Sequence, residues 1–201
     1  MEYRFNRDCW VESSFDGFLL EHYAHPPGET ADGPHHPQPV ASRIGTAQRF
    51  FADRGESIRA RPSIAALLQR FRDCSDLARA MMRRLGIAEA CARCDRIEPH
   101  GSCCSIGLEE KIDAMILVVN LLIGVELPKA GTRPDSCFFL GPQGCTLFAR
   151  HMLCVDYLCP DLEKSLPPAR LHAMQIAAGD EIEALFRLGE EIKRACRIAG
   201  R

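Results

Sequence analysis

Two bursts of cysteine constrain this chain more than any other feature. CARCDRIEPHGSCC, residues 91–104, holds four thiols; CFFLGPQGCTLFARHMLC, residues 137–154, holds three more, and Cys159 follows. With 201 residues, 46% of them hydrophobic, the chain can bury an ordinary core and does not need disulfides to fold. The N-terminal MEYRFNRDCWVESSFDGFLL lacks a basic stretch followed by an apolar one, so no secretory signal is expected. The most apolar run, Ala114 to Val125, is interrupted by Asn120 and falls short of the ~20 residues a membrane span needs. A soluble, cytoplasmic chain with no membrane contact is the expectation. In a reducing compartment eleven cysteines, an odd number, point to metal or redox chemistry more than to a disulfide framework.

The rest of the chain reads as mainly α. Residues 1–40 form a flexible N-terminal segment, because HPPGETADGPHHPQP is dense in proline, glycine and histidine. Residues 41–201 form a helical domain with two cysteine-rich loops converging on a metal site. A short helix is expected over Ala41–Gly55. A stronger one opens at Pro62, with Ser63 able to cap it. It carries Ile64, Leu67, Leu68, Phe71, Cys74, Leu77, Met81, Met82 and Leu85 on one face and stops at Gly86. A central helix is expected from about Ser105 to Gly124, with Cys103 and Cys104 at its start, where free N–H groups favour thiolates. A last long helix should run from near Pro167 to near Gly200, with a seam at 178, 182, 185, 189, 192 and 196; Gly189 on that seam would admit a close neighbour. Cys74 and Cys196 fall on apolar faces and read as packing, and Cys9 is peripheral.

The candidate metal ligands are the remaining eight thiols. Cys91, Cys94, Cys103 and Cys104 make C-x2-C-x8-C-C; Cys137, Cys145, Cys154 and Cys159 make C-x7-C-x8-C-x4-C. A C-x2-C unit lets two sulfurs reach one ion from a tight turn, and the thiolate is the form that binds. Adjacent Cys103 and Cys104 cannot point the same way, so they suit different metals or different atoms of one cluster. Disulfides, a metal-free redox switch, and His100 or His151 in place of a thiol remain open at this point.

These residues resemble the YkgJ-type cysteine-cluster family, a zinc- or iron-chelating domain with the pattern CxxCxxCC, a helical spacer, and then C-x-x-L…GxCxIYxxRPxxC with a final cysteine. CARC…CC matches the first part and CFFL…GCTLFARHMLC the second, with Leu140, Phe148 and Arg150 at the Leu, Tyr and Arg positions. The resemblance covers about Cys91 to Pro160. The spacer after Cys94 is longer than the family's, His151 replaces the proline, and Val155 replaces an arginine. A related cysteine motif occurs in flagellin lysine methylases, where an iron–sulfur cluster is implied. Outside the motif nothing carries that activity over.

Iron–sulfur and zinc sites both use cysteine alone. More than four clustered thiols exceed one structural zinc's need, which favours an iron–sulfur cluster used in electron transfer or in a redox or modifying system. The alternative is structural zinc in a partner-binding module. Enzyme signatures such as a Gly-rich phosphate loop, G-x-S-x-G, H-E-x-x-H or CxxxCxxC are not present, and a substrate cannot be read. The net charge of −2 gives no nucleic-acid signal. The surfaces open to a protein partner are the last helix and the arginine-rich stretch 43–84, with ten arginines.

Overall fold

Proline, glycine and one aspartate punctuate the helices. A computed structural model describes residues 39–97 and 103–199, so the expected flexible segment lies outside the described residues up to position 38, with Cys9, as does His100. Helix α1 spans Val40–Arg59, α2 Pro62–Arg84 and α3 Ile87–Ile97; a 3-10 turn, Leu108–Lys111, precedes α4, Ala114–Leu122. A two-residue ribbon pairs β1, Leu140–Gly141, antiparallel with β2, Gly144–Cys145, before α5, Met152–Asp156, α6, Pro160–Ser165, and α7, Pro168–Ala199. The protein is mainly α, as expected. Among the described residues no helix is long and apolar enough to cross a membrane.

Pro62 occupies the first turn of α2, where its fixed φ suits a helix and its missing N–H costs nothing. The buried stripe is Ile64, Leu68, Phe71, Ser75 and Ala78, stepping by four and three. Leu77 falls off it and is 54% exposed. Ser63 does not cap: the N-cap is Arg61, and Ser63 Oγ instead donates to Glu191 Oε1 of α7 at 2.7 Å. Gly86, at φ +69°, turns the chain into α3. α2 packs along α7, and α1 packs against α4. Gly189 lies where expected: a Cβ there would stand 3.5 Å from Met115 Cγ of α4.

The expected helix from Ser105 to Gly124 is not continuous. Gly107, at φ +93°, bends the chain into the 3-10 turn that holds Glu109 and Glu110. Asp113 then caps α4, its Oδ1 accepting the Ile116 N–H at 2.8 Å. Cys103 and Cys104 therefore sit in a turn and not at the start of α4. α4 is buried from Ala114 to Asn120 and forms the centre of the main core with Phe50, Phe71, Phe139, Leu147 and Leu188. A second, smaller core joins Ile87 of α3 to Val155, Leu158, Met174 and Ala178.

Candidate metal centre

The expectation that both cysteine bursts lie in loops is corrected at two places. Cys91 and Cys94 are on α3, three residues apart and hence on one helix face, and Cys154 is on α5. The sequence hid α3 because Ile87 is its one buried residue. Ile87, Cys91, Cys94 and Ile97 step by four and three, but with thiols at two of those positions the stretch reads as a ligand-bearing loop.

Backbone hydrogen bonds bring the two bursts together. The Cys137 N–H donates to the Cys104 carbonyl at 2.8 Å, and Ser105 and Ser136 form an antiparallel bridge. The Leu140 N–H returns to the Cys137 carbonyl at 2.9 Å, and Leu140 pairs in register with Cys145. Arg133 Nη1 on Asp95, at 2.5 Å, ties α3 to the same loop. Cys159 is the N-cap residue of α6.

All eight cysteines are free thiols. Burial is the first cause of every resolved thiol shift, and the thiols also act on one another. Burial raises Cys91, and so do the charges of Cys103, Cys159 and Cys94. Cys103 is raised by burial and by Cys159 and Cys94. Cys104 is pushed up to about 12 by burial, then by Cys154, Cys145, Cys137 and, last, Cys91. Cys137 also reaches about 12, through burial and then Glu109, Cys145 and Cys154, with a backbone hydrogen bond from Phe139 opposing. Cys154 reaches about 11 through burial and Cys145, with Arg150 opposing. Cys145 is exposed as a residue, yet burial still raises its thiol; a backbone hydrogen bond from Leu147 and the charges of Arg150 and Arg79 pull the other way. At Cys137 and Cys145 alike, the opposing backbone group lies two residues further on, and such bonds favour the thiolate.

Sequence reasoning missed the polar frame behind these thiols. Arg79 Nη2 donates to the Leu147 and Phe148 carbonyls at 3.1 and 2.8 Å, and its guanidinium lies 4.9 Å from the Phe148 ring centroid. Arg150 is 11% exposed and pairs with Glu181, 1% exposed, at 3.5 Å; Ser75 Oγ donates to the same Glu181 oxygen at 3.0 Å. Asn120 is fully buried and fixes the segment between Cys145 and Cys154. Its Nδ2 donates to the Ala149 carbonyl at 2.9 Å, and its Oδ1 accepts the N–H groups of Phe148 and Ala149 at 2.7 and 3.1 Å. The only sequence sign of these roles was that Asn120 breaks an apolar run and that Arg150 occupies a motif position.

The remaining candidates divide clearly. His151 caps α5, its Nδ1 accepting the Leu153 N–H at 3.2 Å, and burial and Lys111 lower its pKa. Cys196 is buried in the main core and Cys74 packs partly against it. Of the arginine-rich stretch, Arg43, Arg72 and Arg79 turn to backbone carbonyls of the fold.

As placed among the described residues, no three His, Cys, Asp or Glu side chains stand close enough to hold a metal ion. What fits a soft metal is the donor set, free thiols alone with backbone N–H groups directed to two of the sulfurs. No family model, no curated protein and no solved structure matches the chain.

Proposed function

We propose that this is a thiolate metal-binding protein of YkgJ type, whose cysteines hold an iron–sulfur cluster serving electron transfer or a redox or modifying system. The observation that carries this reading is the joining of two distant cysteine bursts by the Cys137 N–H to Cys104 carbonyl bond and the Ser105–Ser136 bridge, with several of the thiols raising a neighbour's pKa. Unliganded thiolates repel one another, and a metal cation turns that repulsion into ligation by releasing their protons. Arg79 and Arg150 add positive charge beside Cys145 and Cys154, which suits an anionic metal–thiolate centre. When bound, the cluster would supply one-electron chemistry.

Structural zinc is the second reading, and its support is the local frame: a short ribbon and backbone N–H groups at Cys137 and Cys145 suit a rigid tetrahedral site. The chain would then act as a partner-binding module, with Ile176 and Phe186 exposed on α7 as the apolar contacts. Anaerobic purification with metal and sulfide analysis and a visible spectrum decides between them. Iron, sulfide and a broad visible absorption are expected; colourless protein with zinc establishes the second reading, and metal-free protein with ordinary thiols refutes both.

A further inference from the structure

A groove lies between α7, α5 and the start of α4. Its apolar wall is Met115, Ile116, Val155, Ile182, Leu185 and Phe186, and Arg150 and Glu181 line it as well. Those two side chains are buried but incompletely matched. Glu181 is 1% exposed; its Oε1 accepts from Ser75 Oγ at 3.0 Å, yet Oε2 is buried with no hydrogen-bond partner among the described residues. Arg150 Nε and Nη2 are buried and have no hydrogen-bond partner among the described residues either, although Nη2 stands 3.5 Å from Glu181 Oε1 as an ion pair. Native interiors leave few such groups unmatched, and each one calls for a partner. Nε and Nη2 share one edge of the guanidinium, the fork that takes a carboxylate through two parallel bonds. The unmatched set is therefore two donors side by side with an acceptor next to them.

We propose that this groove binds a free α-amino acid with an apolar side chain. The carboxylate takes the Nε–Nη2 edge of Arg150, the ammonium donates to Glu181 Oε2, and the side chain lies along the apolar wall. A plain carboxylate would leave Oε2 unmatched and set its own charge against that of Glu181. A plain amine would leave both Arg150 donors unmatched. The groove encloses about 50 Å³, which suits a small head group and excludes a nucleotide. The three unmatched atoms are closed to solvent as the groove stands, so entry needs a side chain to swing aside. Phe186, the one exposed residue of the apolar wall at 52%, is placed to do so. None of the eight cysteines takes part, so the inference stands apart from the metal-binding reading.

The test titrates the full chain, purified anaerobically, with L-leucine, L-methionine and L-phenylalanine by isothermal calorimetry, with thermal unfolding as the second readout. At least one of them should bind saturably, and the melting temperature should rise with its concentration. The N-acetyl derivative of the amino acid that binds lacks the ammonium, and its amide lacks the carboxylate. Each should bind about tenfold more weakly or worse, because each forfeits a hydrogen bond between charged partners. Arg150→Lys, which keeps the charge but loses the fork, and Glu181→Gln should weaken the parent amino acid by a similar factor. Circular dichroism checks that both variants are folded; the derivative series on wild type decides the matter if they are not. No saturable binding of any of the three amino acids to folded wild type overturns the proposal and leaves the groove's floor to ordered water. Undiminished binding of either derivative overturns the placing of the head group on Arg150 and Glu181. Metal content enters none of these outcomes, so the result is read separately from the metal-binding reading.

Discussion

The Cys137 backbone N–H donates to the Cys104 carbonyl at 2.8 Å, and through this bond the two cysteine bursts become one structure. Behind it, Asn120 of α4 closes three hydrogen bonds on Phe148 and Ala149, so the core helix positions the chain between Cys145 and Cys154. Packing and candidate site are thus joined through a single buried amide.

Replacing Asn120 with Ala should therefore be costly. The substitution strands the buried Ala149 N–H and carbonyl and the Phe148 N–H, and an unsatisfied buried group costs about 1–3 kcal/mol. We expect a net loss of about 2–4 kcal/mol by urea unfolding, since partial relaxation recovers some bonds. Asn120→Asp should not rescue it, because a carboxylate can accept from the two N–H groups but cannot donate to Ala149. Unchanged stability in Asn120→Ala would show that the 147–150 segment is held by other means.

Cysteines outside the eight should be dispensable for metal. Cys196 is buried on α7 and Cys74 lies on the flank of the main core. Cys74→Ala and Cys196→Ala should leave metal content unchanged, with Cys196→Ala showing a small loss of stability from the vacated volume. Cys9→Ser should behave alike. Loss of metal from any of these in a folded protein would reassign the ligands.

Much of the helical framework was legible in the sequence because the long helices bury one regular stripe. α2 and α7 could be read from apolar spacing and from Pro62, Gly86 and Pro168. α3 could not, since the cysteines on its helical stripe read as ligands in a loop. The central helix was overextended because the Gly107 turn and the Asp113 cap are single-residue signals beside a strong apolar run. The eight thiols could be singled out by spacing. The buried Arg150–Glu181 pair is a long-range contact with no local signature.

The metal-free, reduced chain should lose stability in alkali. Burial holds the Cys104 and Cys137 thiols at about 12 and those of Cys154 and Cys196 at about 11, against an unfolded value of 9.0. Above about pH 9 the unfolded chain releases protons that the folded chain keeps, so it binds fewer protons and unfolding is favoured as pH rises. The loss begins near the unfolded value and levels off above the folded ones. Urea midpoints at neutral pH and at about pH 10 measure it. Cys196→Ala should shallow the slope, and bound metal should remove the ligands' share because they are already deprotonated. A flat profile for the metal-free chain would show that the thiols are more solvated than their positions imply.

Two interior glycines of α7 should respond differently from one in α1. A Cβ at Gly179 meets nothing within 4 Å, and one at Gly189 makes ordinary contact with Met115 at 3.5 Å. Alanine at either should stabilise the helix by about 0.5–1 kcal/mol through backbone entropy. At Gly55 the added atom would lie 2.4 Å from the Phe51 ring, so that ring must move and the gain should vanish or reverse. Thermal unfolding of the three single variants checks the order.

Metal removal should open α3 before the rest of the molecule. Ile87 is the one buried residue of this helix, and Ile97 near its far end is 76% exposed. Isolated helices shorter than about 12–15 residues are marginal in water. Beyond Ile87, α3 therefore relies on the Asp95–Arg133 pair and on whatever Cys91 and Cys94 hold. A lone ion pair with one partner open to water is a weak tie, whereas a structural zinc site contributes ~10–16 kcal/mol of apparent binding energy at neutral pH. α1, α2, α4 and α7 share the main core and need no metal to persist. Chelation under reducing conditions should thus abolish hydrogen-exchange protection across 90–97 and weaken it across 137–159, while α2, α4 and α7 stay protected and the helical signal falls only in part. Protection of 90–97 that survives verified metal removal would mean that α3 is held by its packing at Ile87 and its ion pair, and that Cys91 and Cys94 do not anchor it.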